Sequence, residues 1–405
     1  MSDAGGSSGY LDAAATAPMR AEARDAMIAV LAGEQANPSS VHQSGFRARE
    51  IVEGCRKRIA SALGARPAEV IFTSGGTEAN NLAIIGLALA NPRGRHLVTT
   101  PIEHPSVIES CRFLERVHGF ELSLVPVDAD GVVDPADVAS VLRDDTTLVS
   151  VGLANGEIGT VQPVVEIGES VRSRGAIMHT DAVQAAATLP VSFAAGGWPG
   201  ASVDSLTVAA HKFGGPQGAG ALLVRRHLAL EPVLHGGGQE GGARSGTENV
   251  AAIAGFAAAV TATVREVGTR ALALTISRDA LIARVLAEVP GADLTGHPSE
   301  RLPGHASFVV RGVSGESLLV ALDAAGIAAS SGSACAAGKD EPSPTLLAMG
   351  YTPEIAQTAI RFTLPEPIIG DGGDGGATLL ERLVRVLAQE VTAAAGMRRG
   401  ELPAR

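Results

Sequence analysis

From about Glu69 onward the chain alternates short apolar runs with helical stretches, and this alternation constrains its fold more than any other feature. VIFTS (70–74), HLVTT (96–100), ELSLVPV (121–127), TLVSVGL (147–153), AIMHTD (176–181), SLTVAA (205–210) and AGALLV (219–224) read as strands. Segments such as GGTEANNLAIIGLALA (75–90) and PADVASVLRDD (135–145) read as a loop entering a helix and as a helix between them. Such repeats form an α/β domain around a mostly parallel sheet. Ligands of these sheets collect at the carboxyl ends of strands. Thr77, His104, Asn155, Asp181 and Lys212 all fall at such ends.

After about Ala251 a long helical stretch runs toward Glu288 and links to a smaller domain with strands ASFVVRG (306–312) and AIRFTL (359–364). GDGGDGG (370–376) reads as a flexible loop and 377–395 as a terminal helix. The expected division is an N-terminal segment 1–18 packed with the small domain, a large domain 19–258 and a small domain 259–405. A chain of 405 residues with 45% hydrophobic residues is long enough for two such cores. Aromatics are only 3% and glycines number 49, so the cores pack through small aliphatic side chains. The net charge of -11, with no basic stripe, argues against nucleic acid as a principal ligand. Three widely spaced cysteines form neither a disulfide framework nor a metal site. No metal is expected. The polar start, MSDAGGSSG, and the lack of an uninterrupted apolar run of about 18 residues predict a cytoplasmic protein without a membrane span.

Lys212 lies in AHKFGGPQGAG (210–220), directly after a buried-type strand. A lysine there is costly unless it has a partner or a task. It suits Schiff-base chemistry with an aldehyde, against the alternative of a surface turn lysine. TSGGTEANN (73–81) places Gly75, Gly76 and Thr77 at a strand-to-helix junction, where free N–H groups favour phosphate. The alternative is an ordinary turn with Thr77 as a helix cap. In HTDAVQA (179–185), Asp181 could hold a pyridine nitrogen protonated and Gln184 could donate to a phenolic oxygen, or Asp181 could simply cap a helix. His104 in EHPSV (103–107) could stack on a flat ring and move protons, though a lone histidine is more often structural. Cys335 sits among small residues in SSGSACAAGKDEPS (330–343), a candidate nucleophile or an inert thiol, whereas Cys55 and Cys111 lie in helical contexts. Arg361, the only charge in AIRFTL, could clamp a carboxylate or form a buried salt bridge. RSGTENV (244–250), after the Gly-rich HGGGQEGGA, has the look of a loop meeting a phosphate or a subunit interface.

Together the markers YLDAAATAP, NPSSVH, TSGGTEANN, EHPSV, NGEIG, HTDAVQA, AHKFGGPQG, HGGGQE, RSGTENV, SSGSAC and IRFTL, in this order, resemble the cysteine desulfurase family. These are pyridoxal 5'-phosphate (PLP) enzymes of fold type I in the class V aminotransferase group, and SSGSAC looks like their group I branch. The resemblance implies an α/β large domain with a seven-stranded-type, mostly parallel sheet between helices, plus a smaller α+β C-terminal domain. It implies that Lys212 carries the cofactor and that Cys335 takes sulfur from L-cysteine as a persulfide, releasing alanine. His104 would stack and assist proton transfer, Asp181 and Gln184 would hold the ring, and Gly76, Thr77 and His211 the phosphate. Thr247 would reach in from the second subunit of a homodimer. Asn155 is carried over as a cofactor contact, and Arg361 and Asn37 as substrate contacts. A sulfur-acceptor protein serving iron–sulfur cluster assembly or tRNA thiolation is the implied partner.

Three departures stand out. The family usually has a second asparagine where this chain has Gly156, a serine where it has Ala209, and a different continuation after IRFTL than PEPIIGDGGDGG. Each missing hydrogen bond is worth on the order of 1 kcal/mol, which predicts weaker PLP retention or a shifted substrate preference. Two rivals stand beside the desulfurase: a selenocysteine lyase or other carbon–sulfur lyase of the same fold, and a non-catalytic binding partner that kept the fold.

Overall fold

The computed structural model describes residues 9–331, 341–369 and 374–399. Its strands are β1 (Val70–Thr73), β2 (His96–Thr99), β3 (Glu121–Leu124), β4 (Thr146–Ser150), β5 (Ile177–Asp181), β6 (Val191–Ser192), β7 (Trp198–Pro199), β8 (Ser205–Ala209), β9 (Gly220–Val224), β10 (Ala292–Leu294), β11 (His305–Val310) and β12 (Ala359–Thr363). Seven of them form one sheet in the order β1-β9-β8-β5-β4-β2-β3. The pairs from β8 to β3 are parallel, while β9 runs antiparallel to both β8 and β1. The small pair β6–β7 stands apart.

Both faces of this sheet are covered, which is why its strands read as continuous apolar runs rather than alternating ones. Successive side chains of a strand point to opposite faces. Leu97, Leu148, Ile177 and Leu222 accordingly join one apolar cluster, with Leu82, Leu87 and Leu114. Their neighbours Val98, Val149, Met178 and Leu223 join the other, with Val52, Ile59, Ile253 and Phe256. The outermost strand, β3, is the most exposed, as an edge strand is.

A second body is built on the antiparallel sheet β10-β11-β12. Its core gathers Phe308, Val310, Ile360 and Phe362 with Leu379, Leu380, Leu383, Val384 and Leu387 of the helix Asp374–Arg399. That apolar stripe recurs at helical spacing. The helix begins at Asp374 and so takes up the end of the segment expected as a loop at 370–376. The 39-residue helix Val250–Glu288 connects the two bodies without interruption, so the expected boundary at 258/259 falls inside it. By length and composition this helix could cross a membrane, but its apolar window is mostly buried within the protein.

The N-terminal strand lies between the bodies. Tyr10 pairs with Ala328 and Asp12 with Thr363 on the small side. Five residues later, Ala17 N–H donates to the His211 carbonyl, and Arg20 N–H donates to that of Gly214 on the large side.

Candidate active site

The carboxyl ends of β2, β4, β5 and β8 meet beneath this N-terminal strand. Lys212 stands in a short 3-10 turn directly after β8. Its amine donates to the Ala15 carbonyl at 2.9 Å and also to that of Ala14. Gln184 Nε2 donates to the same Ala14 carbonyl at 3.1 Å. The His211 Nδ1 lies 3.2 Å from the Thr16 hydroxyl. Burial, then the neighbouring Lys212 charge, lower the His211 pKa to about 4, so its ring is neutral near pH 7. Residues 14–16 thus engage Lys212, Gln184 and His211 together.

Asp181 closes β5. One carboxylate oxygen accepts from Val183 N–H at 2.9 Å, and the other from Asn80 Nδ2 at 2.6 Å. Behind it, His179 is fully buried and spans the sheet between Ser150 Oγ (2.8 Å) and Thr207 Oγ1 (3.1 Å), with burial lowering its pKa to about 4. It is a core histidine that stiffens the strand delivering Asp181. Asn80 also donates to Ser106 Oγ at 2.9 Å, while its buried Oδ1 has no protein partner.

His104 caps the helix Pro105–His118. Its Nδ1 accepts from Ser106 N–H at 3.1 Å, which places the proton of the neutral ring on Nε2. Glu103, beside it, accepts from Thr100 Oγ1 (2.9 Å) and Gly152 N–H (3.0 Å). Burial pushes the Glu103 carboxyl up to about 7, against these hydrogen bonds.

Gly76 opens a helix, Gly76–Asn81, that passes directly into a π-turn, Leu82–Gly86, a feature common at functional sites. A Cβ on Gly76 would stand 2.8 Å from Val183 Cγ2, so the turn after Asp181 presses on this helix start. Thr77 beside it is exposed.

Arg361 is 4% exposed. It donates to Asp12 Oδ1 at 2.8 Å and to the Gly156 carbonyl at 3.0 Å, while its Nε has no protein partner. The buried salt bridge and the cleft position therefore coexist. Asn155 spends its side chain on backbone: it donates to the Ile102 carbonyl and accepts from Glu157 and Ile158 N–H. Its amide shapes the turn that presents Gly156.

The structure therefore gathers Lys212, His211, Asp181, Gln184, Gly76, Thr77, His104, Asn155 and Arg361 around the strand ends. Asn37 is exposed and accepts from Ser39 N–H, and Thr247 is exposed on a loop tied back by the Arg244–Glu78 ion pair. Neither is hydrogen-bonded to the cleft residues. Cys335 lies outside the described residues. Cys55 and Cys111 are buried, and burial raises both thiols, Cys111 to about 12. Sequence reasoning passed over Asp12, Asn80, Glu103 and Glu157, although each lies inside a motif it quoted. Among the described residues, no group of three or more His, Cys, Asp and Glu is placed to hold a metal ion.

The donor set fits PLP. A primary amine, a carboxylate at a strand end, an amide donor beside that amine and a glycine-started helix face one region. The pressed Gly76 and the unpartnered Asn80 Oδ1 lie at its wall.

Comparison with known proteins agrees. The family Aminotransferase class-V matches residues 9–364. "Cysteine desulfurase IscS" of Dictyoglomus turgidum is 42% identical over 379 residues, 93% of this chain and 95% of the relative. "IscS-like cysteine desulfurase" of Mycobacterium tuberculosis is 42% identical over 397 residues, 96% of this chain and 100% of the relative. Among solved structures, a "NifS-like protein" superposes with a TM-score of 0.84 at 32% identity, over 94% of this chain and 99% of that one. "SspA in complex with cysteine" gives 0.77 at 31% identity, over 88% and 99%.

Proposed function

We propose, from the premise that the chain belongs to the aminotransferase class-V family and within it to the cysteine desulfurases, that it removes sulfur from L-cysteine to give L-alanine and a persulfide on Cys335. The observation that carries this reading is the convergence of Lys212, Asp181, Gln184 and Arg361 at the strand ends of a chain matched over nearly its whole length.

Lys212, Asp181, Gln184, Gly76, Thr77 and His211 would hold PLP, which when bound would supply an electron sink that weakens the substrate's carbon–sulfur bond. The protein's own groups do the rest. Arg361 receives the substrate carboxylate, for which it retains donors beyond those given to Asp12 and Gly156. His104 moves a proton at Nε2, because Nδ1 is engaged by Ser106. The Cys335 thiolate attacks the substrate sulfur. A sulfur–sulfur bond forms as the carbon–sulfur bond breaks, and the bonding pair stays on carbon, which takes a proton to become the alanine methyl. Thr247 and Asn37, exposed in one chain, serve the site of a second subunit in a homodimer. The persulfide passes to an acceptor protein in the cytoplasm.

The test is release of alanine from cysteine, with sulfide released when a thiol reductant is added, and mass detection of a persulfide on Cys335 in its absence. Borohydride reduction of the PLP-loaded protein is expected to label Lys212. Full activity of Cys335→Ala on free cysteine would transfer the assignment to a carbon–sulfur lyase that does not route sulfur through that thiol.

A further inference from the structure

Residues 332–340, which include Cys335, are bracketed by two anchors that lead to one turn. On the upstream side, Ser330 and Arg361 exchange backbone hydrogen bonds, N–H of Arg361 to O of Ser330 at 2.7 Å and the reverse at 3.2 Å. On the downstream side, Ser343 is 2% exposed and its hydroxyl donates to the Glu157 carboxylate. The same hydroxyl accepts from Leu346 N–H at 3.1 Å and so caps the helix Pro344–Ala348. The Thr345 hydroxyl is a second hydrogen-bond partner of Glu157. Glu157 belongs to the turn 155–158, whose Gly156 carbonyl holds Arg361 and whose N–H groups at 157 and 158 are held by Asn155.

A helix cap needs only the serine. Placing an inward-facing carboxylate beneath that serine carries a desolvation cost, and burial raises the Glu157 pKa accordingly. The cost has a return if the exact position of Ser343 matters. Cys335 follows Ser330 by five positions and precedes Ser343 by eight, so an extended chain puts its Cα at most ~18 Å from the upstream anchor. Covalent connection over so few residues makes the position of Ser343 bear on the reach of Cys335.

We propose that Glu157 is a positioning residue for sulfur capture: by holding Ser343 and Thr345 to the turn that also holds Arg361, it sets the downstream anchor of the chain carrying Cys335. The idea rests on the desulfurase reading above, with Cys335 as sulfur acceptor. The side-chain partners of Glu157 among the described residues are the Ser343 and Thr345 hydroxyls.

The test uses the full-length PLP-loaded enzyme with Glu157→Ala, Glu157→Gln and Ser343→Ala. Glu157→Ala is expected to slow persulfide formation on Cys335, and kcat with it, by about tenfold, as modest misplacement of a reacting group does. The KM for cysteine and the cysteine-induced absorbance change stay within about twofold. Glu157→Gln, which can still accept from both hydroxyls, restores most of the rate, and Ser343→Ala reproduces part of the loss even if Glu157→Ala fails to fold. In the cofactor-free protein, amide exchange at 345–348 rises in Glu157→Ala. An unchanged persulfide rate in the folded alanine variants overturns the proposal. So does a parallel loss of substrate engagement and persulfide that glutamine does not rescue, since that marks a structural clamp only. Absence of any persulfide on Cys335 in the unmodified enzyme would instead defeat the desulfurase reading beneath it.

Discussion

Gly156 is one of the three places where this chain departs from the family pattern, and the structure supplies a reason. A Cβ there would stand 2.9 Å from Gln184 Nε2 and 3.0 Å from its Cδ and Cγ. The space over Gly156 is therefore the space Gln184 uses. In Gly156→Ala the flexible Gln184 must retreat, and its bond to the Ala14 carbonyl, 3.1 Å long, is lost first. One neutral hydrogen bond is worth about 1 kcal/mol, hence roughly a fivefold weaker hold on PLP if Gln184 also serves the ring oxygen. Stability changes little. Gly156 is not among the glycines with positive φ, so alanine adopts its backbone without strain, and its gain of about 0.4–1 kcal/mol through the unfolded chain roughly offsets the lost Gln184 hydrogen bond. The assay is absorbance titration of cofactor-free protein with PLP, paired with urea unfolding of the same sample, for Gly156→Ala, Gln184→Ala and the double variant. The two substitutions act on one side chain, so their losses are expected to be strongly non-additive. Additive losses, or undiminished PLP affinity in Gly156→Ala, refute the reasoning.

Other outcomes follow from the same geometry. Ala209 Cβ lies 3.5 Å from where a Cβ on Gly76 would stand, so Ala209→Ser puts a hydroxyl at the helix start and is expected to tighten PLP retention about fivefold in the same titration. Arg361→Lys keeps the charge but not the fork, and is expected to raise the KM for cysteine at least about tenfold with a smaller change in kcat, by steady-state kinetics. Glu103 has its folded pKa raised to about 7 from 4.5, so the folded state holds a proton that the unfolded state has lost. Its contribution is full below about pH 4.5 and falls as pH rises to about 7, by up to about 3 kcal/mol. His179 and His211, with lowered pKa values, act in the opposite sense between about pH 4 and 6.5. Glu103→Gln therefore isolates the effect: relative to the parent, its urea stability should gain more at pH 8 than at pH 5, and an equal difference at both would contradict the assignment.

Much of the site was legible because the chemistry sits where strands end. Apolar runs at 70–74, 147–153, 176–181 and 205–210 place the carboxyl edges, and Asp181, Gln184 and Lys212 fall just beyond them. Partnership was not legible. Arg361 and Asp12 are 349 positions apart, and nothing in either local sequence names the other. Nothing local marks Glu103 and Glu157 as buried, because their partners Gly152, Ser343 and Thr345 are remote in the chain. Asn155 is a cofactor contact by resemblance, yet its side chain bonds the backbone of Ile102, Glu157 and Ile158. The start of the last helix at Asp374 was missed because glycines 375 and 376 read as loop, whereas the apolar stripe from Leu379 draws the preceding turn into the helix.

The helix Val250–Glu288 gives Ala252, Phe256 and Val260 to one core and Leu274, Leu281 and Val285 to the other. A shaft seated at both ends leaves no slack joint between the parts it connects. Any tightening of the jaws around a ligand must then come as torsion of that shaft or sliding at its bearings. A side chain far from the chemistry, along the middle of the rod near Thr269, can thereby govern how readily the jaws shut.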